Sequence, residues 1–147
     1  VIIIRDTREQ FPYLFRDVTP RPRIVISPLK TGDYSVKGFE NLITIERKSL
    51  LDAYGTFGKR RGQFERELER MSQFQFAAVV IEADWETIIR KPPFRSKLNP
   101  KTIYASVIAW QQRYGVHFWA CPNRAFAEKT TYRILERFWK DKNEGKQ

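Results

Sequence analysis

Ile43-Thr44-Ile45-Glu46-Arg47-Lys48-Ser49-Leu50-Leu51-Asp52 begins as alternating apolar sequence and ends in charge. The two-residue period of a strand puts Thr44, Glu46 and Lys48 on one face and Ile43, Ile45 and Arg47 on the other. A buried strand that ends in this way aims a carboxylate and an ammonium in the same direction. The next residues, Ser49 to Tyr54, read as a short helix broken near Gly55 and Gly58.

Upstream, Val1–Arg5 and Arg23–Ser27 are short and β-branched, so both predict strands, separated by a segment with Pro12, Pro20 and Pro22. A turn at Thr31-Gly32-Asp33 leads into Tyr34–Val36, and Lys37-Gly38 turns the chain again before the strand Leu42–Lys48. The pieces Arg23–Ser27, Tyr34–Val36 and Leu42–Lys48 suggest an antiparallel region. Downstream, Phe64, Leu68 and Met71 form the apolar stripe of a helix from about Gly62 to Phe76. Ala77–Ile81 predicts a central strand, and Asp84–Ile89 a helical excursion ended by Pro92-Pro93. Asn99 and Pro100 start a helix that Gly115 stops near Tyr114; Val116–Ala120 is a strand, and Asn123 caps a last helix reaching roughly Lys140. The order β, β, β, β, α, β, α, β, α is that of an α/β sandwich. Residues 1–140 read as one domain, and 141–147 as a charged, flexible tail.

The 147 residues carry 27 Lys plus Arg against 17 Asp plus Glu, a formal charge of +10, with 41% hydrophobic and 14% aromatic residues. That apolar share supports a packed core and excludes a disordered basic tail. The charge favours a polyanionic partner, nucleic acid ahead of a membrane surface. One cysteine, Cys121, can form neither an internal disulfide nor a Cys-rich zinc site, which fits a reducing, intracellular setting. No apolar run reaches membrane-spanning length.

Chemistry concentrates where strands end. Glu46 can hold a divalent cation, and Lys48 can position or deprotonate a water or stabilise charge on a phosphate; a strand-end salt pair is the alternative. Asp33 can add a second carboxylate, or simply shape an Asx-turn. Asp6 follows the strand face of Ile2 and Ile4; Glu9 can extend a metal site, and Arg8 can neutralise a carboxylate or contact phosphate. A turn network without catalytic role would use the same residues.

Taken together, Gly32-Asp33 followed by Glu46-Arg47-Lys48-Ser49-Leu50-Leu51-Asp52 resembles the GD…ERKxxxD signature of the XPF/Mus81-type nuclease family, also called the ERCC4 nuclease domain. Asp6-Thr7-Arg8-Glu9 resembles that family's DxRE element. The resemblance implies a restriction-endonuclease-like PD-(D/E)XK core, with a central mixed sheet flanked by helices. It implies metal-dependent cleavage of flapped, forked or branched DNA, leaving a 5′-phosphate and a 3′-hydroxyl, with Mg²⁺ as cofactor and Mn²⁺ as substitute. Asp33, Glu46 and Lys48 fall on the central active-site positions, and Asp6 and Glu9 on additional acidic ones; Asp33, Glu46, Asp6 and Glu9 are then the metal-ligand set. Arg47 is implied to support the site through contacts or its backbone carbonyl, and Asp52 to act electrostatically or by hydrogen bonding.

DNA binding would use other groups: Arg8, the glycine-flanked Arg60 and Arg61, Gln63, Arg66 and Arg70 on the following helix, and Arg95 and Lys97 in a basic loop. Glu65, Glu67 and Glu69 are interspersed among the helix cations, so a solvated face is the alternative there. Tyr34, Tyr54 and Phe57 can shape a groove, and Trp110 or Trp119 can stack on a base, although core packing is the commoner fate. Relatives often carry a helix-hairpin-helix or helicase-like region. This sequence shows neither, which fits an excised core or a compact stand-alone nuclease. Family members commonly dimerise, and Ile103, Val107, Phe126, Ile134 and Phe138 can serve a homodimer or close the sheet. The competing functions are a noncatalytic DNA-binding subunit that needs a nuclease partner, and a sequence-specific restriction endonuclease. The expected location is cytoplasmic in a bacterial or phage setting and nuclear in a eukaryotic one.

Overall fold

A computed structural model describes residues 1–94 and 96–145. Six strands, β1 (Ile2–Arg5), β2 (Arg23–Ile26), β3 (Tyr34–Val36), β4 (Ile43–Lys48), β5 (Phe76–Ile81) and β6 (His117–Ala120), form one mixed sheet in the order β2-β1-β3-β4-β5-β6. The helices are α1 (Leu50–Phe57), α2 (Arg61–Met71), α3 (Trp85–Arg90), α4 (Pro100–Tyr114) and α5 (Arg124–Glu144).

Strand alternation divides the core into two layers. Ala77, Val79 and Ile81 of β5 pack with Phe64, Leu68, Ile88, Ile103 and Trp110 under α1 to α4. Ala78 and Val80 turn the other way and join Ile43, Ile45, Tyr13, Phe15 and Leu135 beneath α5. The chain is therefore an α/β fold whose central sheet is covered by helices on both faces. Ile103 and Val107 are buried in the first layer and close the sheet, leaving only the α5 residues of the proposed dimer face near the surface.

The antiparallel expectation holds for β3 with β4 and with β1. It fails for β2, which runs parallel to β1 at the sheet edge, in register from Ile2–Arg23 to Arg5–Ile26. The long proline-bearing connection of residues 6–22 returns the chain to the same end of the sheet, and β2 then runs alongside β1.

Helix ends differ for local reasons. α1 continues through Gly55 to Phe57, whose ring is buried against Phe64 and Trp110, and the Arg60 guanidinium occupies the space a side chain at Gly55 would take, its Nη2 2.6 Å from where a Cβ would stand. α2 stops at Met71, the last residue of its apolar stripe, and Phe76 is captured by the sheet, its N–H donating to the Leu42 carbonyl at 3.1 Å. α5 passes Lys140, so Asp141–Glu144 belong to a helix in which Arg137 pairs with Asp141 at 2.9 Å. α4 has the expected bounds, with Asn99 accepting from the Lys101 N–H and Gly115 left-handed at φ +67.

Candidate active site

Gly32 makes the site possible. Its φ of +85 is left-handed, and a Cβ would lie 1.9 Å from Thr44 Oγ1. With that space free, Thr44 Oγ1 donates to the Thr31 carbonyl at 2.8 Å and the Asp33 N–H donates to the Ile45 carbonyl at 2.8 Å. Asp33 is thereby clipped to β4, and its Oδ2 accepts the Arg47 N–H at 2.7 Å. One residue back on β4, Glu46 shares the α2 side of the sheet with Lys48, whose Nζ lies 3.1 Å from Glu46 Oε2 and 5.1 Å from the centre of the Phe64 ring.

The electrostatics of this pair are unfavourable to two free carboxylates. Burial, with the neighbouring Glu46 charge, pushes Asp33 well above the usual carboxylate range. Burial and Glu67 push Glu46 up to about 7, against the opposing pull of Lys48. Two buried carboxylates whose charged forms are disfavoured by their surroundings are a donor set that a divalent cation relieves, and Mg²⁺ is commonly held by one or two carboxylates with waters and phosphate oxygens completing its shell. Asp33 and Glu46 fit that cofactor.

Asp6 and Glu9 are engaged elsewhere. Asp6 Oδ1 accepts the Leu29 N–H at 2.8 Å and Oδ2 accepts Arg8 Nε at 2.8 Å; burial raises its pKa, but these bonds outweigh it and the net shift is downward. Glu9 takes both Nε and Nη2 of Arg47 at 2.8 Å in a bidentate pair, and again burial is outweighed, here by Arg47 and Tyr34. Among the described residues no group of three or more His, Cys, Asp or Glu side chains could hold a metal. The expected four-carboxylate set is thus divided: Asp33 and Glu46 meet, while Asp6 braces the Leu29 loop and Glu9 braces Arg47. Arg47 lies on the face opposite Glu46, as alternation requires. Asp52 closes a capping box on α1, its N–H donating to Ser49 Oγ at 3.1 Å and its Oδ2 accepting the Ser49 N–H at 3.4 Å.

Several residues emerge that the sequence did not single out. Glu82, one residue past β5, accepts Arg47 Nη1 at 3.3 Å, Arg124 Nη1 at 3.1 Å and the Tyr13 hydroxyl at 2.5 Å. Its signal was available: it is an acid immediately after a continuous apolar strand, as Asp6 is after β1. Glu67 stands at the border of the α2 apolar stripe, where its charge reaches Glu46; spacing alone made it part of a solvated face. Tyr13 joins through a distant loop and carries no local signal.

The expected DNA-contact residues separate into kinds. Arg60, Gln63, Arg66, Arg70 and Lys97 are exposed, and Arg60 and Lys97 line one cleft with Lys59 and Leu98. Arg61 is tied to α4, donating to Ser106 Oγ at 2.6 Å and lying 4.6 Å over the Trp110 ring. Arg8 is exposed but bonded to Asp6 and to the Leu29 carbonyl. Arg95 lies outside the described residues. Tyr34, Tyr54, Phe57 and Trp110 are core residues, whereas Trp119 is half exposed.

The model of the ERCC4 domain matches residues 5–134. No curated protein matches the chain. Among solved structures the fold is similar to XPF from Aeropyrum pernix, with TM-score 0.72 and 17% identity over 92% of this chain and 60% of that one. A second A. pernix XPF structure, a complex with DNA, gives TM-score 0.68 and 18% identity over 98% of this chain and 66% of that one. The chain spans less than two thirds of the length of either, and at these identities the likeness is one of fold.

Proposed function

The chain belongs to the ERCC4 domain family, and from that premise we propose that it is a metal-dependent, structure-specific DNA endonuclease that hydrolyses phosphodiester bonds near flaps, forks or junctions. The observation that carries the reading is Asp33, Glu46 and Lys48 gathered at the end of β4, with both carboxylates held above their ordinary range by burial and by a neighbouring acid, Glu46 beside Asp33 and Glu67 beside Glu46. That one A. pernix XPF structure is a complex with DNA supports nucleic acid as the polyanion that the +10 charge favours.

Asp33 and Glu46 would hold Mg²⁺, with Mn²⁺ as substitute; when bound, the ion supplies an activated water and neutralises phosphate charge. The Arg47 N–H fixes the Asp33 carboxylate in orientation. The Lys48 ammonium, already beside Glu46, orients the attacking water or stabilises the charge that develops on the phosphate, leaving a 5′-phosphate and a 3′-hydroxyl. Arg60, Gln63, Arg66, Arg70 and Lys97 guide the DNA backbone through charge and hydrogen bonding. A further DNA-binding domain or protein partner would select the branch geometry. The apolar groove lined by Trp119, Phe126, Ile134 and Phe138 suits a second copy, and the solution mass reads this directly.

The test compares wild type with Glu46→Gln on end-labelled flap, fork, four-way-junction and linear duplex DNA, with Mg²⁺ or chelator. Metal-dependent cuts near the branch, lost in the variant while binding persists, are expected. Cleavage of duplex at one fixed sequence would favour a restriction enzyme. Binding without cleavage under any divalent metal would favour a noncatalytic subunit.

A further inference from the structure

Beyond the residues of that site, we infer that Glu82 is a positioning residue of the same reaction, fixing Asp33 through Arg47 and linking the start of α5 to the metal-binding edge. The inference rests on the function proposed above. Glu82 extends the β4–β5 ladder by one residue, its N–H donating to the Lys48 carbonyl at 2.8 Å. Its side chain, 9% exposed, then turns to the face opposite Glu46 and accepts from three donors on three separate segments: Arg47 on β4, Arg124 on α5 and Tyr13 in the β1–β2 connection.

These contacts form a closed ring. Arg47 binds Glu82 and Glu9; the Tyr34 hydroxyl donates to Glu9 and accepts the Tyr13 N–H at 2.7 Å; the Tyr13 hydroxyl returns to Glu82. Tyr13 and Tyr34 stack inside it with ring centres 5.4 Å apart. Arg124 lies 4.7 Å over the Tyr13 ring and donates to the Phe11 and Pro12 carbonyls at 2.8 and 3.1 Å, fastening the ring to α5. Charge balances within the cluster: Glu9 and Glu82 against Arg47 and Arg124. A guanidinium bonded from two sides keeps the Arg47 side chain in one conformation, which adds to the β4–β5 pairing in holding residue 47, and it is the N–H of this residue that reaches Asp33 Oδ2. Neutralising Glu82 leaves the Arg47 guanidinium paired with Glu9 alone and removes one of the ties from Arg124 on α5 to the ring. Outer-shell partners of metal ligands typically contribute 10–100-fold in metal affinity or activity.

The test uses Mn²⁺ binding to the DNA-free chain, followed by the Mn²⁺ electron paramagnetic resonance signal, alongside the metal dependence of cleavage. Wild type should bind Mn²⁺ and Asp33→Asn should not. Glu82→Gln should bind about 10-fold more weakly and need correspondingly more metal for half-maximal cleavage, with DNA affinity unchanged. Tyr13→Phe, which removes one donor and keeps the ring stacked, should shift the metal constant in the same direction by about 2- to 5-fold, and carries the test if Glu82→Gln does not fold. A purely structural role would lower the melting temperature of either variant and leave its Mn²⁺ constant at the wild-type value, overturning the inference while the proposed function stands. Absence of Mn²⁺ binding by wild type would overturn both.

Discussion

Glu46 is held in a state that costs stability until something neutralises it. Its ordinary pKa is 4.5 and the fold raises it to about 7, so between those values the native chain holds more protons than the unfolded one. Stability then falls as pH rises through that window, with a slope of order 1 kcal/mol per pH unit. In chelator, wild type should lose stability to urea between pH 5 and pH 7.5, while Glu46→Gln, which cannot ionise and also relieves Asp33, should show a much flatter profile. Parallel profiles would mean that Glu46 is not the strained group. Lys48 makes the complementary prediction. Lys48→Met removes the ammonium and keeps an apolar stem against Phe64, so cleavage should fall about 100-fold or more with DNA binding retained. Equal losses in both would make Lys48 a binding group. At this scale the sequence was informative wherever one strand carried the chemistry: alternation alone placed Glu46 and Lys48 together and Arg47 opposite. It offered Arg8 as a partner that neutralises a carboxylate and a turn network for this cluster, but could not say that Leu29 would hold Asp6 or that Arg47 would claim Glu9, because those partners come from a distant loop and a different strand.

Elements supply what single residues cannot, namely a fixed distance between strands. The turn before β3 sets Asp33 against β4 only because position 32 has no side chain. Gly32→Ala should therefore destabilise the chain by about 2 kcal/mol or more, since a Cβ would meet Thr44 Oγ1 and the left-handed φ would be strained as well. The cleavage rate of the folded fraction should drop further, because Asp33 shifts with the turn; an unaltered melting temperature would remove this account of the Gly-Asp pair. α1 offers the contrasting case. The capping box assigns Asp52 a helical task, so Asp52→Ala should cost about 1 kcal/mol and change cleavage little at a temperature where the variant is folded. A loss of two orders of magnitude would give Asp52 a part in the chemistry. Helix starts were legible where caps are local: Asn99 and Asn123 accept from the first turn as expected, and Asp84, read as the start of a helical excursion, proves to be its cap. The place of β2 was not, since strand order depends on where a long connection returns the chain, and no period in residues 23–26 encodes it.

The whole molecule places its positive charge in two kinds of setting, an open cleft and a packed helix interface, and the consequence of that division is testable. Arg60 and Lys97 line the cleft beside α1, whereas Arg61, adjacent in sequence, is fixed by Ser106 and the Trp110 ring between α2 and α4. Sequence treated Arg60 and Arg61 as one basic pair because both flank glycine-rich chain; three-dimensional packing separates them. If Arg60 and Lys97 each neutralise a phosphate, replacing either with Ala should weaken binding to every DNA shape alike. Each replacement should also reduce the slope of log K against log salt by about 1. Arg61→Ala should do the opposite, leaving the salt slope near its wild-type value while lowering the melting temperature, because it leaves Ser106 and the Trp110 face without their shared cation. A salt titration of fork and linear duplex binding by the three variants, with melting curves on the same samples, separates these effects. Should Arg61→Ala reduce the slope as Arg60→Ala does, the guanidinium must leave α4 when DNA arrives, and the α2–α4 contact would be a latch released by substrate rather than a fixed part of the core.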